Sequence, residues 1–79
     1  METVKLDYPI TVNGATIASV ALRRPKVSDE LAAKKLTSDD AMYEVTLIAN
    51  LTELAPEDIL KMDSSDFRKL LKVFTSFFA

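Results

Sequence analysis

Residues 65–79 of the chain read SDFRKLLKVFTSFFA. Large apolar side chains recur in this stretch at the spacing i, i+3, i+4, i+7, i+10 and i+11, which places them on one face of an α-helix. They are Phe67, Leu70, Leu71, Phe74, Phe77 and Phe78, and they include all four phenylalanines of the protein. The pattern predicts a helix over about 64–78 whose aromatic end either packs beneath another element or meets a partner.

The first third of the chain has the period-two alternation of a β-strand. Its apolar positions are Val4, Leu6, Tyr8 and Ile10. Asn13-Gly14 follows, contains the only glycine, and is a strong signal for a two-residue turn. A second apolar run continues to about Arg23, so residues 3–23 are predicted to form a β-hairpin.

A two-residue turn at residues 13 and 14 fixes the pairing of the two strands. Val12 is then opposite Ala15, and each preceding residue of the first strand pairs with the next residue of the second. Because side chains alternate between the faces of a sheet, this register turns Val20 and Leu22 away from the helices unless a bulge intervenes. The hairpin is therefore expected to expose an apolar edge.

The middle of the chain carries helix start signals before each apolar run. Ser28 is a good N-cap residue, Thr37-Ser38-Asp39-Asp40 fits a capping box, and Pro56 suits a first helical position. Helices are predicted over about 28–36, 38–51 and 56–62. The second of them is apolar over a wide arc, which predicts a central helix that is buried on more than one side.

These elements predict one small α+β domain over residues 1–79, with an N-terminal β-hairpin followed by three or four helices. A chain of 79 residues is long enough for one core and too short for two. The apolar fraction of 48% is high for so small a domain, and it favours an apolar surface that another chain covers.

The composition argues against catalysis. The chain has no histidine and no cysteine, which excludes the usual nucleophile systems and makes a zinc site very unlikely. Each pair of neighbouring carboxylates lies at the start of a predicted helix, where capping and the helix dipole explain it. No catalytic residue, cofactor or metal ion is expected, and an enzyme is the least favoured class.

The charge and hydropathy patterns also argue against nucleic acid and membranes as partners. The net charge is −2. In a helix-turn-helix DNA-binding protein the recognition helix would be the one over about 42–51, and this stretch carries no basic residue that could contact phosphates. No apolar run reaches the length of a membrane-spanning helix, and the first residues do not form a signal peptide. A cytoplasmic protein is expected. An acyl carrier protein is not favoured, because a hairpin replaces the first helix of that fold.

Several short motifs follow one another in a characteristic order. They are Tyr8-Pro9-Ile10, the Asn13-Gly14 turn, Arg23-Arg24-Pro25, Leu51-Thr52-Glu53-Leu54, the acidic step Leu60-Lys61-Met62-Asp63-Ser64-Ser65-Asp66, and the aromatic helix that begins at Asp66-Phe67. In this order the chain resembles the tail assembly chaperones of Mu-like contractile-tailed phages and prophages. One departure is Glu53, at a position where glycine is commoner in that family.

The resemblance implies a small, non-enzymatic assembly factor that acts in the cytoplasm of the bacterial host and is not expected in the mature virion. Its implied client is the tape measure protein, a long apolar helical chain, and the tail tube protein is a second possible partner. The alternative is a self-assembling minor phage structural protein, or another small interaction domain, that forms homo-oligomers through the hairpin edge.

The candidate partner-binding residues come from two parts of the chain. In the last helix they are Phe74, Phe77 and Phe78, with Leu71 at the margin, because an aromatic helix face can meet an apolar helical client. In the hairpin they are Val20 and Leu22, which the register predicts to face outward and which would serve self-assembly.

Overall fold

The computed structural model describes residues 1–79, and it shows an antiparallel two-stranded hairpin followed by four helices. This confirms the predicted α+β architecture. The strands are β1 (Glu2–Val12) and β2 (Ala15–Leu22), and the helices are α1 (Val27–Leu36), α2 (Asp40–Thr52), α3 (Pro56–Leu60) and α4 (Ser64–Ser76). None of the helices combines the length and the apolar composition needed to cross a bilayer.

The helix starts follow the chemistry of their capping residues. Asp39 caps α2 by accepting a hydrogen bond from the Met42 N–H, so this helix begins two residues later than position 38. Asp63 caps α4 by accepting from the Ser65 N–H. At α1 the prediction of Ser28 as the cap is wrong, because the helix begins at Val27 and Lys26 is the cap residue.

The hairpin contains an irregularity that the two-residue turn does not predict. Near the turn the register is the expected one, with Val12 opposite Ala15 and Ile10 opposite Ile17. Beyond it Lys5 pairs with Ser19, so that four residues of β1 (6–9) lie opposite the single residue 18 of β2. Between these two pairs β1 therefore has three more residues than β2. Because side chains alternate between the two faces of a strand, an odd number of extra residues exchanges the faces on which the paired side chains beyond it lie.

This exchange corrects the expectation that Val20 and Leu22 face outward. Val20 pairs with Val4 on the inner face of the sheet, and Leu22 is completely buried, with 0% of its surface exposed. Both side chains belong to the apolar core, and neither is accessible to a partner. The apolar hairpin edge predicted for self-assembly is therefore absent from this fold.

A buried carboxylate holds the irregular part of β1 in place. Asp66, in the first turn of α4, is fully buried and accepts hydrogen bonds from the backbone N–H groups of Asp7 (2.9 Å) and Tyr8 (3.0 Å). Pro9, the next residue, has no N–H to satisfy. The Lys69 ammonium lies 3.3 Å from the Asp66 carboxylate and 2.7 Å from that of Asp7. Asp66 thus satisfies two consecutive backbone donors in the segment where β1 departs from the regular ladder.

The ionisation of Asp66 is consistent with this role. Burial opposes the charged form, but the two backbone donors and Lys69 outweigh it and hold the pKa of Asp66 below its usual range. Every buried side-chain nitrogen or oxygen in the protein has a hydrogen-bond partner. The acid at position 66 therefore works as a tertiary link between α4 and β1, although its sequence position alone suggested complementarity to the helix dipole.

The core lies between the inner face of the hairpin and helices α2, α3 and α4. Its largest fully buried apolar side chains are Leu22, Ile48, Leu51 and Leu70. Helix α2 contacts α1, α3, α4 and β2, which agrees with its wide apolar arc. Helix α1 buries only Asp29 and Ala33, and its main packing partner is α2.

A second buried carboxylate joins α1 to the end of the hairpin. The guanidinium of Arg23 donates two hydrogen bonds to Asp29 (2.7 and 2.6 Å), and the Lys26 N–H donates a third (2.8 Å). The Arg23 backbone N–H also donates to the Leu51 carbonyl at 3.1 Å. The Arg23 hydrogen bonds, opposed by burial and assisted by the Lys26 N–H, lower the pKa of Asp29 to about 2.

We expect the stability that Asp29 contributes to disappear in acid. Its folded-state pKa lies below the unfolded value of 3.8, so the contribution is complete above that pH and is lost as the pH falls toward about 2. The shift corresponds to about 1–2 kcal/mol once solvent at the half-exposed Arg23 is allowed for. Urea unfolding should therefore separate the wild type from Asp29→Asn by about this amount at neutral pH and by much less near pH 2.

The control for this experiment is Asp39→Asn, which changes an exposed N-cap to a residue that caps equally well. It is expected to change the free energy of unfolding little at either pH. A difference between the wild type and Asp29→Asn that stayed the same from neutral pH to acid would contradict the assignment of the acid-sensitive contribution to the Arg23–Asp29 pair.

Candidate functional site

Two apolar grooves lie side by side along the contact between α2 and α4. The first has a volume of about 270 Å³, and we name it the Phe78 groove. Its lining residues are Glu30, Tyr43, Glu44, Leu47, Ile48, Leu71, Phe74 and Phe78. The second, the Phe67 groove, has a volume of about 340 Å³ and is lined by Glu44, Val45, Ile59, Leu60, Met62, Ser64, Phe67, Arg68 and Leu71. Glu44 and Leu71 line both, so the two grooves are neighbours.

The aromatic wall of the Phe78 groove is preformed. The rings of Phe74 and Phe78 meet edge to face, with their centroids 5.3 Å apart and their planes at 73°. Phe78 is nevertheless 61% exposed, whereas Phe74 and Leu71 are half-buried. The wall therefore offers a large apolar area that the protein itself does not cover.

The opposite wall comes from α2, with one residue from α1. Leu47 and Ile48 form the buried floor, and Tyr43 closes one side. Burial, assisted by the nearby charge of Glu30, raises the pKa of the Tyr43 hydroxyl. The Lys34 ammonium lies 5.6 Å from the centre of the Tyr43 ring, which ties this wall to α1.

The two carboxylates of the Phe78 groove have no cation of this chain bound to them. The four ion pairs of the protein join Arg23 to Asp29, Lys61 to Asp58, and Lys69 to both Asp7 and Asp66. Glu30 and Glu44 belong to none of them, and no basic residue lines this groove. The site is thus an apolar surface with negative charge inside its boundary.

The structure brings together three of the six residues predicted from the sequence. Leu71, Phe74 and Phe78 all line the Phe78 groove. Phe77 lies elsewhere. It is the C-cap residue that follows α4, and its side chain is turned by about 100° around the helix axis from that of Phe78. It is half-buried against the core, and the Arg24 guanidinium lies 5.9 Å from its ring centre. Val20 and Leu22 are core residues, as described above.

Sequence reasoning missed the α2 half of the site. The wide apolar arc predicted for the central helix includes Leu47 and Ile48, but the sequence does not show that Tyr43 and Glu44 share a groove with Phe78. The available signal was an acidic residue inside a wide apolar arc, since Glu44 interrupts the apolar surface of α2. No group of acidic side chains is arranged to hold a metal ion.

Comparison with known proteins gives the family of this chain. The family profile described as "Phage tail assembly chaperone proteins, E, or 41 or 14" matches residues 3–79, which is nearly the whole chain. The protein therefore belongs to this family of phage tail assembly chaperones, as the order of its motifs indicated. No curated protein and no solved structure matches the chain.

Proposed function

We propose that this protein acts during tail assembly by binding an apolar helical segment of the tape measure protein in the groove between α2 and α4. Membership of the chaperone family supports the general role. The observation that carries the site is Phe78, which is 61% exposed in the wall of a mostly apolar groove. A chaperone acts by holding its client, so the proposed role requires no catalysis.

The energetics favour a reversible contact. Burial of the exposed part of one phenylalanine ring stabilises a complex by about 2 kcal/mol, which corresponds to roughly 30-fold in affinity. Leu71 and Phe74 add smaller areas because they are already half-buried. A contact that depends on a few such side chains is reversible, so the client can be released when tube subunits assemble around it. The tail tube protein is the second partner that this role suggests.

The main alternative was a structural protein that assembles through its hairpin, and the fold removes its motivation. Val20 and Leu22 are buried, and side chains of the helical half bond to several backbone groups of β1. Lys69 donates to the Lys5 carbonyl, and Lys61 donates to the Thr11 carbonyl. We therefore favour a chaperone that acts in the host cytoplasm and leaves before the virion is complete.

Phe78→Ser is expected to reduce the fraction of a co-expressed tape measure segment that stays in the supernatant after centrifugation. The substitution removes exposed apolar surface and leaves the core intact, so the variant should keep its circular dichroism spectrum and its melting temperature within a few degrees. The measurement is the ratio of client in supernatant and pellet, with wild type and variant expressed at equal levels.

Leu36→Ser is the matched control, because Leu36 is a comparably exposed apolar residue on α1 that lines neither groove. It should leave client solubility unchanged. If the folded Phe78→Ser variant kept the client as soluble as the wild type does, the groove would not be the client site.

A further inference from the structure

The Phe78 groove combines two features that have no partner within the chain. Its wall of Leu71, Phe74 and Phe78 is apolar, and its carboxylates, Glu30 and Glu44, have no cation bound to them. Glu44 also lines the Phe67 groove, so it stands at the junction of the two apolar surfaces. A carboxylate in this position favours a client that brings a positive charge to it.

We infer that the groove selects an amphipathic helix with a lysine or arginine beside its apolar stripe, and that Glu44, with Glu30, recognises that cation. This inference rests on the proposed function and names the chemistry of the client segment. The occupant is a helix of another chain, because an i, i+3, i+4 stripe matches an apolar groove between two helices.

The position of the charges makes discrimination effective. A client helix that covers the groove also excludes water from Glu44, which strengthens attraction to a cation and repulsion of an anion. An acidic or purely apolar helix would leave the carboxylate covered and unpaired, which is unfavourable. The carboxylates therefore act against wrong clients as well as for the right one, as specific interfaces often do.

The second groove has a different charge. Arg68 lines the Phe67 groove and forms no ion pair, and Lys72 lies one turn further along the same side of α4. The Phe67 groove therefore has one acidic and one basic side chain, Glu44 and Arg68, whereas the charged residues of the Phe78 groove are both acidic.

The test uses three synthetic helical peptides with the same leucine stripe and different flanking residues. One carries lysine at the two flanking positions, one carries glutamine and one carries glutamate. Binding to the full chain is measured by titration calorimetry at low ionic strength. We expect the lysine peptide to bind about tenfold more tightly than the glutamate peptide, with glutamine between them, and the preference to shrink as salt is added.

The variant Glu30→Gln/Glu44→Gln should remove most of this preference and leave the affinity for the glutamine peptide close to that of the wild type. Glu57→Gln is the control, because Glu57 is an exposed acid on α3 that lines neither groove. It should keep the full preference. The same peptides should bind weakly to Phe78→Ser whatever their charge.

Two results would overturn the inference. One is equal affinity for the lysine and glutamate peptides, combined with weaker binding of both to Phe78→Ser. The groove would then still be the client site, but its carboxylates would have no role in selecting the client. The other is failure of the lysine peptide to bind at all. The proposed function is judged separately, because its failure would appear as unchanged client solubility with Phe78→Ser in the co-expression experiment.

Discussion

Asp66→Ala is expected to lower the melting temperature of the protein by more than about 10 °C, a large shift for a domain of this size. The substitution leaves the N–H groups of Asp7 and Tyr8 without an acceptor inside the protein. A buried donor without a partner bears the full cost of its desolvation. The irregular segment of β1 then loses the acceptor that fixes its backbone, and the strand register that buries Val20 loses part of its support.

Asp66→Asn is a finer version of the same experiment. Its amide oxygen can accept one of the two hydrogen bonds, while its nitrogen faces the other donor, so we expect an intermediate loss of stability. In this variant one of the two backbone amides of Asp7 and Tyr8 should exchange with solvent much faster than in the wild type. Hydrogen exchange followed by NMR measures this directly and does not depend on the alanine variant being folded.

The control is Asp63→Asn, which alters the exposed N-cap of the same helix to another good capping residue. Its melting temperature should stay close to that of the wild type. Two observations would contradict the role assigned to Asp66: an Asp66→Ala variant as stable as Asp63→Asn, or slow exchange of both amides in Asp66→Asn.

Leu22→Ala is expected to destabilise the protein by about 2–5 kcal/mol, as removal of a fully buried leucine side chain does. The total stability of a 79-residue domain is on the order of 4–12 kcal/mol. The variant is therefore expected to unfold at a much lower urea concentration, with little change in the slope of the transition. The reason is the cavity left where the end of β2 packs against the helices.

The result also distinguishes the two possible registers of the hairpin. In the regular register Leu22 faces solvent, and its truncation would cost less than about 0.5 kcal/mol. Leu36→Ala makes the same chemical change at an exposed site on α1 and should have an effect of that size. Equal urea midpoints for Leu22→Ala and Leu36→Ala would show that the irregularity in β1 does not form in solution.

The sequence was a good guide wherever a single element decides the outcome. The stripe from Phe67 to Phe78 predicted α4, and Asn13-Gly14 predicted the turn, because periodicity and turn chemistry act between residues that are close along the chain. It also placed Leu71, Phe74 and Phe78 on one face. It could not assign Phe77 to the core, because that depends on which side of α4 the hairpin covers.

The acidic residues show the same contrast between what the local sequence decides and what tertiary packing decides. All the neighbouring acids lie at predicted helix starts, and capping was the expectation for each. Asp39 and Asp63 do cap their helices. Asp29 accepts from the Lys26 N–H at its helix start and also binds Arg23, just beyond the end of β2. Asp66 is fully buried and accepts from the distant N–H groups of Asp7 and Tyr8, because the middle of β1 lies against the start of α4. Nothing in the local sequence separates the two kinds of acid.

By itself, the amino-acid sequence determined the order and type of the elements, the amphipathic face of the last helix and the family. Tertiary structure alone decided which face of β2 is buried and which α2 residues complete the groove. The physical reason is that a strand has two equivalent faces until something fixes its register. In this protein the register is fixed by the Asp66 carboxylate of α4, which accepts a hydrogen bond from the Tyr8 N–H, 58 residues earlier in the chain.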